Sequence, residues 1–290
     1  MLDLKNLKLN NVEFYTRNDK LYGEIKTNEL TAAYEIKDVT FEKPAEAVLT
    51  DLDGTTLNSE PFWKYVIQLT MSKLMGAPKF SFEPSDEPFI FGYTTVDHLR
   101  YCINKYCPDK KIDDALKLYH IVAKEELDKV IKGEGNDFAF KPAEGLKEFL
   151  LELKNRKIKI GLVTSGLKYK AVPEIVSVFR QLKMGDPSEF YDSIITGGDR
   201  KTFGVYGTVG EMASKPHPFV YSEIAYMGLN VKNPSRVLGV EDSSAGVLSL
   251  RFAGFPVIGL NSGNITESGL DGLCYKKVDK LTEILKFIIR

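Results

Sequence analysis

Two aspartates one residue apart, Asp51 and Asp53, are the first residues whose type and spacing suggest chemistry. They follow the apolar, β-branched run 47–50, which is typical of a buried strand, and precede Gly54, which permits a sharp turn. Residues i and i+2 of an extended chain point to the same side, so both carboxylates can face one small volume. Neighbouring carboxylates repel each other unless a cation or a shared proton intervenes, and Mg²⁺ prefers such oxygen ligands. The alternative is an acidic turn that only ends a strand, and the two aspartates alone leave both interpretations open.

A second polar group, Thr164-Ser165-Gly166, follows the apolar run 160–163. A phosphoryl group needs hydrogen-bond donors at its oxygens. The Thr164 hydroxyl and the backbone N–H groups of Ser165 and Gly166 can supply them. The same residues also suit an ordinary turn after a strand, so this group alone is a weak signal.

Charged residues at two further positions precede predicted helices. Lys215, in the sequence Lys-Pro-His-Pro, can place an ammonium group on both an acidic nucleophile and a phosphoryl group, although a lone lysine is usually a solvated surface residue. Its neighbour His217 is expected to face solvent. Glu241 and Asp242 end another apolar run, where they could complete an oxygen cage for Mg²⁺ beside Asp51. Their alternative role is to cap the helix that follows.

These groups can meet only if strands and helices bring them to one place. After Pro142 the chain alternates short apolar runs with segments of helical spacing. That alternation implies a parallel sheet with right-handed crossovers, whose strands end at one edge. The predicted helices cover 143–155, 171–184, 218–227 and 245–253, and the predicted strands cover 159–164, 191–196, 236–240 and 257–260.

The four groups, in their chain order, resemble the four motifs of the haloacid dehalogenase superfamily of phosphotransferases. The clearest matches are Asp51-Leu52-Asp53-Gly54-Thr55-Thr56 and Glu241-Asp242-Ser243-Ser244. The resemblance spans about residues 45–279 and is nearest to the subgroup of phosphoglycolate phosphatases and β-phosphoglucomutases. It implies an α/β fold: a Rossmann-like three-layer core with a central parallel sheet of strand order 3-2-1-4-5. The strand of the first motif lies in the centre.

The resemblance also implies a role for each candidate residue. Asp51 is the nucleophile, and Asp53 is the acid that protonates the leaving group and then the base that activates water. Lys215 is catalytic as well as substrate-binding. The substrate-binding residues are Thr164, Ser165, Gly166 and Lys215. The Mg²⁺ ligands are the Asp51 carboxylate, the Asp53 backbone carbonyl and Asp242, with Glu241 adjacent.

Three regions of the chain differ in pattern. Residues 1–44 alternate apolar and polar residues, which predicts two or three antiparallel strands with turns near 18–19 and 28–29. This N-terminal β-rich extension is expected to cover a sheet edge or a surface rather than to bind substrate. Residues 61–140 have helical spacing and resemble the family's inserted helical cap domain. The core domain then comprises residues 45–60 and 141–290, and its loop 197–214 is longer than the family's usual link to the lysine.

Composition limits the class of protein further. The chain has 290 residues, of which 43% are hydrophobic, enough for a sizeable core. Its formal net charge is −1 and its basic residues are dispersed, so no nucleic-acid partner is expected. The three cysteines form no C-x-x-C pair and suit a reduced compartment. No run reaches membrane-spanning length and no signal peptide is evident, so we expect a cytoplasmic protein without membrane contact, as a monomer or small homo-oligomer.

Together these features predict a Mg²⁺-dependent phosphatase that hydrolyses a small phosphorylated metabolite through an aspartyl-phosphate. A β-phosphoglucomutase-like mutase shares this core but must hold a second phosphate with a fixed cation, for which arginine is best suited. In the resembling cap loop 92–99, the mutase arginine aligns with Thr95, which is uncharged. A non-catalytic phosphate-binding protein and a dehalogenase could also share this fold. A dehalogenase needs neither a metal nor an acid at position 53, so Asp53 argues against it.

Overall fold

The structure, a computed structural model, describes Leu9 and residues 11–26, 30–89, 95–136, 140–197 and 213–288. Two segments singled out in the sequence, 92–94 of the cap loop and 198–212 of the long loop, lie outside the described residues. The strands are β1 (Val12–Arg17), β2 (Lys20–Lys26), β3 (Thr31–Glu35), β4 (Ala47–Asp51), β5 (Leu57–Asn58), β6 (Lys141–Pro142), β7 (Lys159–Val163), β8 (Ser193–Ile195), β9 (Val237–Glu241), β10 (Val257–Leu260) and β11 (Lys276–Val278). The α-helices are α1 (Glu60–Met75), α2 (Thr95–Tyr106), α3 (Ile112–Lys132), α4 (Leu146–Asn155), α5 (Lys168–Leu182), α6 (Pro187–Phe190), α7 (Phe219–Glu223), α8 (Ser244–Ala253) and α9 (Leu281–Ile288).

The core is a six-stranded parallel sheet of order β11-β10-β9-β4-β7-β8. Within this sheet the strands follow the chain as β4, β7, β8, β9 and β10, here counted 1 to 5. Read from the β8 edge, their spatial order is the predicted 3-2-1-4-5, and β11 adds a sixth strand beside β10. Alternate residues of β4 point to opposite faces, and each face has its own apolar layer. Val48 packs with the cluster that includes α4, α5 and α9, whereas Ala47 and Leu49 pack with the cluster that includes α7 and α8. The predicted three-layer α/β fold is therefore confirmed.

Most predicted elements of the core lie within a few residues of the observed ones, but one helix changes type. The segment predicted as a helix over 218–227 is α-helical only for Phe219–Glu223 and continues as a π-helix, Ile224–Gly228. Gly228 lies so close to β8 that a Cβ there would be 2.3 Å from Ser193 Oγ. None of the described helices is long and apolar enough to cross a membrane. The cytoplasmic location and the oligomeric state stay predictions.

The N-terminal strands form a separate antiparallel sheet, β1-β2-β3, as predicted. Asn18 and Asp19 form its first turn with φ values of 51° and 60°, a left-handed conformation that Asn and Asp tolerate. The third strand ends at Glu35. Val12, Phe14 and Ile25 are buried with residues of α7 and α8, so the sheet covers a helical surface of the core.

The segment between β5 and β6 contains α1, a 3₁₀-helix (Pro84–Phe89), α2 and α3. Its entry and exit are joined because Leu57 pairs with Pro142 and Asn58 pairs with Lys141 in an antiparallel ladder. Helix α5 of the core packs on α3, and the Arg180 guanidinium donates 2.9 Å and 3.0 Å hydrogen bonds to the last-turn carbonyls of Val130 and Ile131. The division into core, cap and extension stays a prediction.

A buried carboxylate organises the interior of the helical segment. Asp86, whose side chain is 0% exposed, accepts hydrogen bonds from Tyr101 (2.6 Å), Lys105 (2.7 Å), Tyr106 and the backbone N–H of Glu83 (2.7 Å). Burial alone would raise the pKa of Asp86, but the bonds from Lys105 and the two tyrosines lower it below its usual range. This carboxylate therefore stabilises the fold in its charged form.

We predict that Asp86→Asn lowers the free energy of unfolding by about 3 kcal/mol near neutral pH, because it removes the buried charge that pairs with Lys105 and replaces one acceptor oxygen with an NH₂ group that cannot accept from the buried donors. Since the folded-state pKa is depressed, the stabilisation by Asp86 is present above its unfolded pKa of about 3.9. It is lost as the pH falls through the folded value. Urea denaturation at pH 7 and at decreasing pH should show the wild-type advantage shrink in acid. The exposed-residue control Asp109→Asn should behave as wild type, and an equal loss in both variants would contradict the prediction.

Candidate active site

The predicted motif residues meet where neighbouring parallel strands end. Asp51 is the last residue of β4 and pairs in register with Val163 of β7, so Thr164 lies just beyond it on one side. On the other side Thr50 pairs with Val240 of β9, which places Glu241 next to Asp51. The carboxyl edge of an open parallel sheet is where α/β proteins bind ligands. The strand order alone thus brings three of the four motifs together.

Lys215 joins two of these carboxylates in a buried ion cluster. Its ammonium group contacts Asp51 Oδ1 in a short ion pair and lies 2.7 Å from Glu241 Oε1. The side chains of Lys215, Asp51 and Glu241 are only 8%, 10% and 0% exposed. Buried charges are strongly unfavourable without partners, so each of these three groups requires the others.

The Glu241 carboxylate is held from several directions. Its Oε1 accepts a 2.6 Å hydrogen bond from the Tyr221 hydroxyl in addition to the lysine, and its Oε2 accepts a 3.0 Å bond from Ser243 Oγ. Gly246 of α8 leaves the space that this carboxylate fills, because a Cβ there would lie 1.8 Å from Oε1. The Lys215 ammonium also lies 4.8 Å from the centre of the Tyr221 ring. Glu241 thus fixes the position of Lys215.

Three carboxylates of the cluster are placed so that they could hold a further cation. Among the described residues, Asp51, Glu241 and Asp242 have carboxylate oxygens that all lie within 4.8 Å of one another. Burial raises the pKa of Asp51, which the Lys215 ammonium opposes. Burial and the charge of Glu241 raise the pKa of Asp242 to about 7. One lysine faces three carboxylates, and a hard divalent cation such as Mg²⁺ fits both the remaining charge and the all-oxygen ligand set.

The turn after Asp51 wraps around Asp242. Thr55 Oγ1 donates a 3.1 Å hydrogen bond to Asp242 Oδ1, and Thr56 Oγ1 donates to the backbone carbonyl of Asp51. Gly54 has a φ of +82°, and a Cβ at this position would lie 2.1 Å from Asp242 Oδ2. Only glycine combines this conformation with such a close approach. Gly54, which the sequence predicted as a turn residue, therefore also forms one side of the carboxylate site.

Asp53 lies apart from the three clustered carboxylates. Its Oδ1 accepts hydrogen bonds from Ser59 Oγ at 2.6 Å and from Ser59 N at 3.4 Å. The surrounding protein raises the pKa of Asp53, while the bonds from Ser59 lower it. A raised pKa suits a group that donates a proton near neutral pH. Only the backbone carbonyl of Asp53 was expected at the metal, and that assignment stays a prediction.

A cavity of about 530 Å³ opens between the carboxylate site and the helical segment. Thr95, the residue at the position of the mutase arginine, is part of its wall. Among the residues that the structure describes, no Lys or Arg lines it. The cavity is lined by Asp53, Gly54, Asn58, Ser59, Glu60, Trp63, Ile67, Thr95, His98, Asp242 and Ser262.

The loop after β7 is arranged around Thr164. Thr164 Oγ1 accepts a 2.9 Å hydrogen bond from the backbone N–H of Gly166, so that predicted phosphoryl donor is already bonded within the loop. The Ser165 hydroxyl is buried and has no hydrogen-bond partner within the described part of the chain. The substrate-binding roles of these three residues stay predictions.

Two residues near Lys215 differ from expectation. His217 was expected to face solvent, and that prediction is wrong: the residue is 1% exposed and shares a 2.9 Å hydrogen bond with the Tyr34 hydroxyl. The N-terminal sheet covers it, an effect that the local sequence does not contain. Tyr221 was not recognised, because a tyrosine on a short amphipathic helix has no spacing that marks it as a partner of Glu241.

Fold and site together define a hydrolase of the haloacid dehalogenase type. Residues 45–254 match the model of the haloacid dehalogenase-like hydrolase family, and the chain belongs to this family. The match begins after the N-terminal sheet, which lies outside the matched residues.

Solved structures share the fold across nearly their whole length. A provisionally assigned β-phosphoglucomutase from Thermotoga maritima is 22% identical, with a TM-score of 0.60, covering 84% of this chain and 100% of its own. A predicted phosphoglycolate phosphatase from Haemophilus somnus 129PT is 19% identical, with a TM-score of 0.58 and coverages of 84% and 98%. CbbY from Rhodobacter sphaeroides, solved in complex with phosphate, is 20% identical, with a TM-score of 0.55 and coverages of 83% and 96%. At these identities the similarity establishes the fold.

We predict that Gly54→Ala weakens Mg²⁺ binding by about tenfold or more, because the added methyl group displaces Asp242. Gly76→Ala is the matched control: Gly76 has a φ of +65° at the end of α1, but nothing lies within 4 Å of its Cβ position. Both variants should lose about 1–2 kcal/mol of stability from the left-handed backbone. Calorimetric Mg²⁺ titration should separate them, and equal affinities would contradict the assigned role of Gly54.

Proposed function

We propose that the protein is a Mg²⁺-dependent phosphatase that hydrolyses a small, singly phosphorylated metabolite through an aspartyl-phosphate on Asp51. The observation that carries the proposal is the buried cluster in which Lys215 joins Asp51 to Glu241 beside Asp242. A nucleophilic carboxylate with a fixed cation at its oxygen is suited to attack an anionic phosphate. The intact cluster also argues against a non-catalytic phosphate-binding protein.

The reaction would proceed in two steps. Asp51 attacks phosphorus, the bond to the ester oxygen breaks, and Asp53 donates its proton to the leaving oxygen. Asp53 then takes a proton from water, which attacks the phosphorus and releases phosphate and Asp51. Ser59 orients Asp53 for this exchange through its 2.6 Å hydrogen bond. The raised pKa of Asp53 favours the protonated form that the first step requires.

The remaining residues stabilise charge on the phosphoryl group. When substrate binds, the Lys215 ammonium can shift part of its contact from Asp51 to the phosphoryl oxygens. Its ion pair with Glu241 would keep it in place during this shift. Thr164, with Ser165 and the loop backbone, would donate to other phosphoryl oxygens. Mg²⁺ held by Asp51, the Asp53 carbonyl and Asp242, with Glu241 adjacent, would neutralise the charge between the carboxylates and the substrate.

The cavity supports a substrate with one phosphate. Binding a second phosphate away from the carboxylates requires a cation, but the described lining offers the acids Asp53, Glu60 and Asp242, the uncharged Thr95, and His98, whose pKa is lowered by burial. CbbY, which shares the fold, was solved with phosphate and, as a variant, with xylulose-(1,5)bisphosphate, so the proposal of a single phosphate rests on the lining of this cavity. Water is therefore the proposed acceptor, without a bisphosphate activator. The only partner that the proposal requires is the small phosphorylated metabolite itself.

A panel of phosphorylated metabolites, with p-nitrophenyl phosphate as a general probe, tests the proposal. Phosphate release is expected with Mg²⁺, to be abolished by a chelator and restored by added Mg²⁺. Asp242→Asn should raise the Mg²⁺ concentration needed for half-maximal activity by about tenfold or more, whereas the exposed-residue control Glu134→Gln should not.

Three outcomes of the panel would overturn the proposal in different ways. Full activity in excess chelator would exclude a metal-dependent mechanism. Interconversion of β-glucose 1-phosphate and glucose 6-phosphate with little phosphate release would indicate a mutase. Inertness toward every phosphomonoester in the presence of Mg²⁺ would indicate a binding protein.

A further inference from the structure

The segment that carries Lys215 has little regular structure of its own. Residues 213–218, all of which the structure describes, lie in neither a helix nor a strand. The stem of a lysine is flexible, so the position of its ammonium depends on how firmly the backbone is held. A displacement of about 1 Å at a catalytic group can lower the rate by about 10². The contacts that hold this segment therefore affect the reaction.

His217, two residues after Lys215, attaches the segment to two other elements. Its backbone carbonyl accepts a 2.6 Å hydrogen bond from Ser249 Oγ of α8. Its ring nitrogen Nδ1 shares a 2.9 Å hydrogen bond with the hydroxyl of Tyr34. His217 is 1% exposed, so water does not compete for these bonds. One anchor comes from the family's core, and the other comes from β3 of the N-terminal sheet.

Tyr34 is itself fixed by aromatic packing. Its ring centre lies 5.3 Å from that of Phe252 on α8 and 6.3 Å from that of Phe219 on α7. The rings of His217 and Phe219 stack, with centres 5.8 Å apart. Phe219 begins the helix whose Tyr221 donates to Glu241, the carboxylate that holds Lys215. Tyr34 thus contacts both the lysine segment and the helix that supports the lysine's partner.

The sheet that presents Tyr34 is firmly attached to the core. Gly23 of β2 packs against Phe252 so closely that a Cβ would lie 2.5 Å from the ring. Arg251 of α8 donates a 2.6 Å hydrogen bond to the carbonyl of Lys37, just after β3. These contacts and the buried β1 and β2 side chains make the sheet a fixed support for the Tyr34 hydroxyl.

We propose that Tyr34 and His217 are positioning residues through which the N-terminal sheet holds Lys215 at Asp51. The inference rests on the proposed function for its catalytic consequence. The extension precedes residue 45, where the family match begins, so it supplies from outside the common core a contact next to the catalytic lysine. It acts on the reaction without touching the substrate.

The variant Tyr34→Phe removes only the hydroxyl and keeps the aromatic packing. The kcat for p-nitrophenyl phosphate should fall about tenfold, with KM changed less than about twofold and the melting temperature lowered by only a few degrees. Tyr22→Phe is the matched control, because Tyr22 lies on the same sheet and stacks on the exposed Tyr15 instead. A kcat for Tyr34→Phe equal to that of Tyr22→Phe would overturn the inference.

A double mutant separates positioning from general destabilisation. If Tyr34 acts through Lys215, adding Tyr34→Phe to Lys215→Ala should cause no further loss of kcat. The same tenfold loss in both backgrounds would contradict the inference.

Hydrogen exchange provides a readout that does not depend on activity. Loss of the Tyr34 hydroxyl should speed exchange in the peptide containing Lys215 and His217 about tenfold, whereas Tyr22→Phe should leave it unchanged. If the wild type released no phosphate, the proposed function would be wrong, but the exchange measurement would still test whether the N-terminal sheet holds the Lys215 segment. Unchanged exchange in Tyr34→Phe would show that the sheet does not hold the segment through the Tyr34 hydroxyl.

Discussion

The ion pair between Lys215 and Asp51 is the interaction on which the rest of the site depends. Both groups are almost completely buried, and Glu241 shares the lysine at 2.7 Å. Such charges persist in a protein interior only when their partners are held in good geometry. The surrounding structure provides that geometry: the strand order places the two carboxylates side by side, and Tyr221 and the space at Gly246 fix Glu241.

The same cluster could hold a further cation beside the substrate. Three carboxylates lie within 4.8 Å of one another, and burial raises the pKa of Asp51 and of Asp242. A divalent cation would return both groups to their charged forms and offset their repulsion of a phosphate. Asp53 is held separately by Ser59, facing the cavity, which suits proton transfer rather than metal binding by its carboxylate. Under the proposed function, two neighbouring aspartates would take different roles because their surroundings differ.

The elements of the core could be predicted from the sequence because their patterns are local, whereas the strand order and the residue roles came from the resemblance to the family. An apolar run that ends in Asp51 specifies a buried strand with an acid at its end, and alternation of strands and helices specifies a parallel sheet. Contacts between distant segments leave no such pattern. The bond between Tyr34 and His217 joins residues 183 positions apart and depends on how an additional sheet packs, so His217 was placed in solvent. Tyr221 was missed for a related reason, since it lies on α7 and its partner Glu241 lies 20 residues away on β9.

The proposed mechanism requires Asp51 to accept the phosphoryl group. Acid quenching of the protein during turnover of a phosphomonoester, followed by peptide mass spectrometry, detects this intermediate. If Asp51 is the nucleophile, one phosphate is expected on the peptide that contains Asp51, located on Asp51 and removed by hydroxylamine, which cleaves acyl phosphates. Phosphate on a different residue, or its absence from every peptide during active turnover, would exclude Asp51 as the nucleophile.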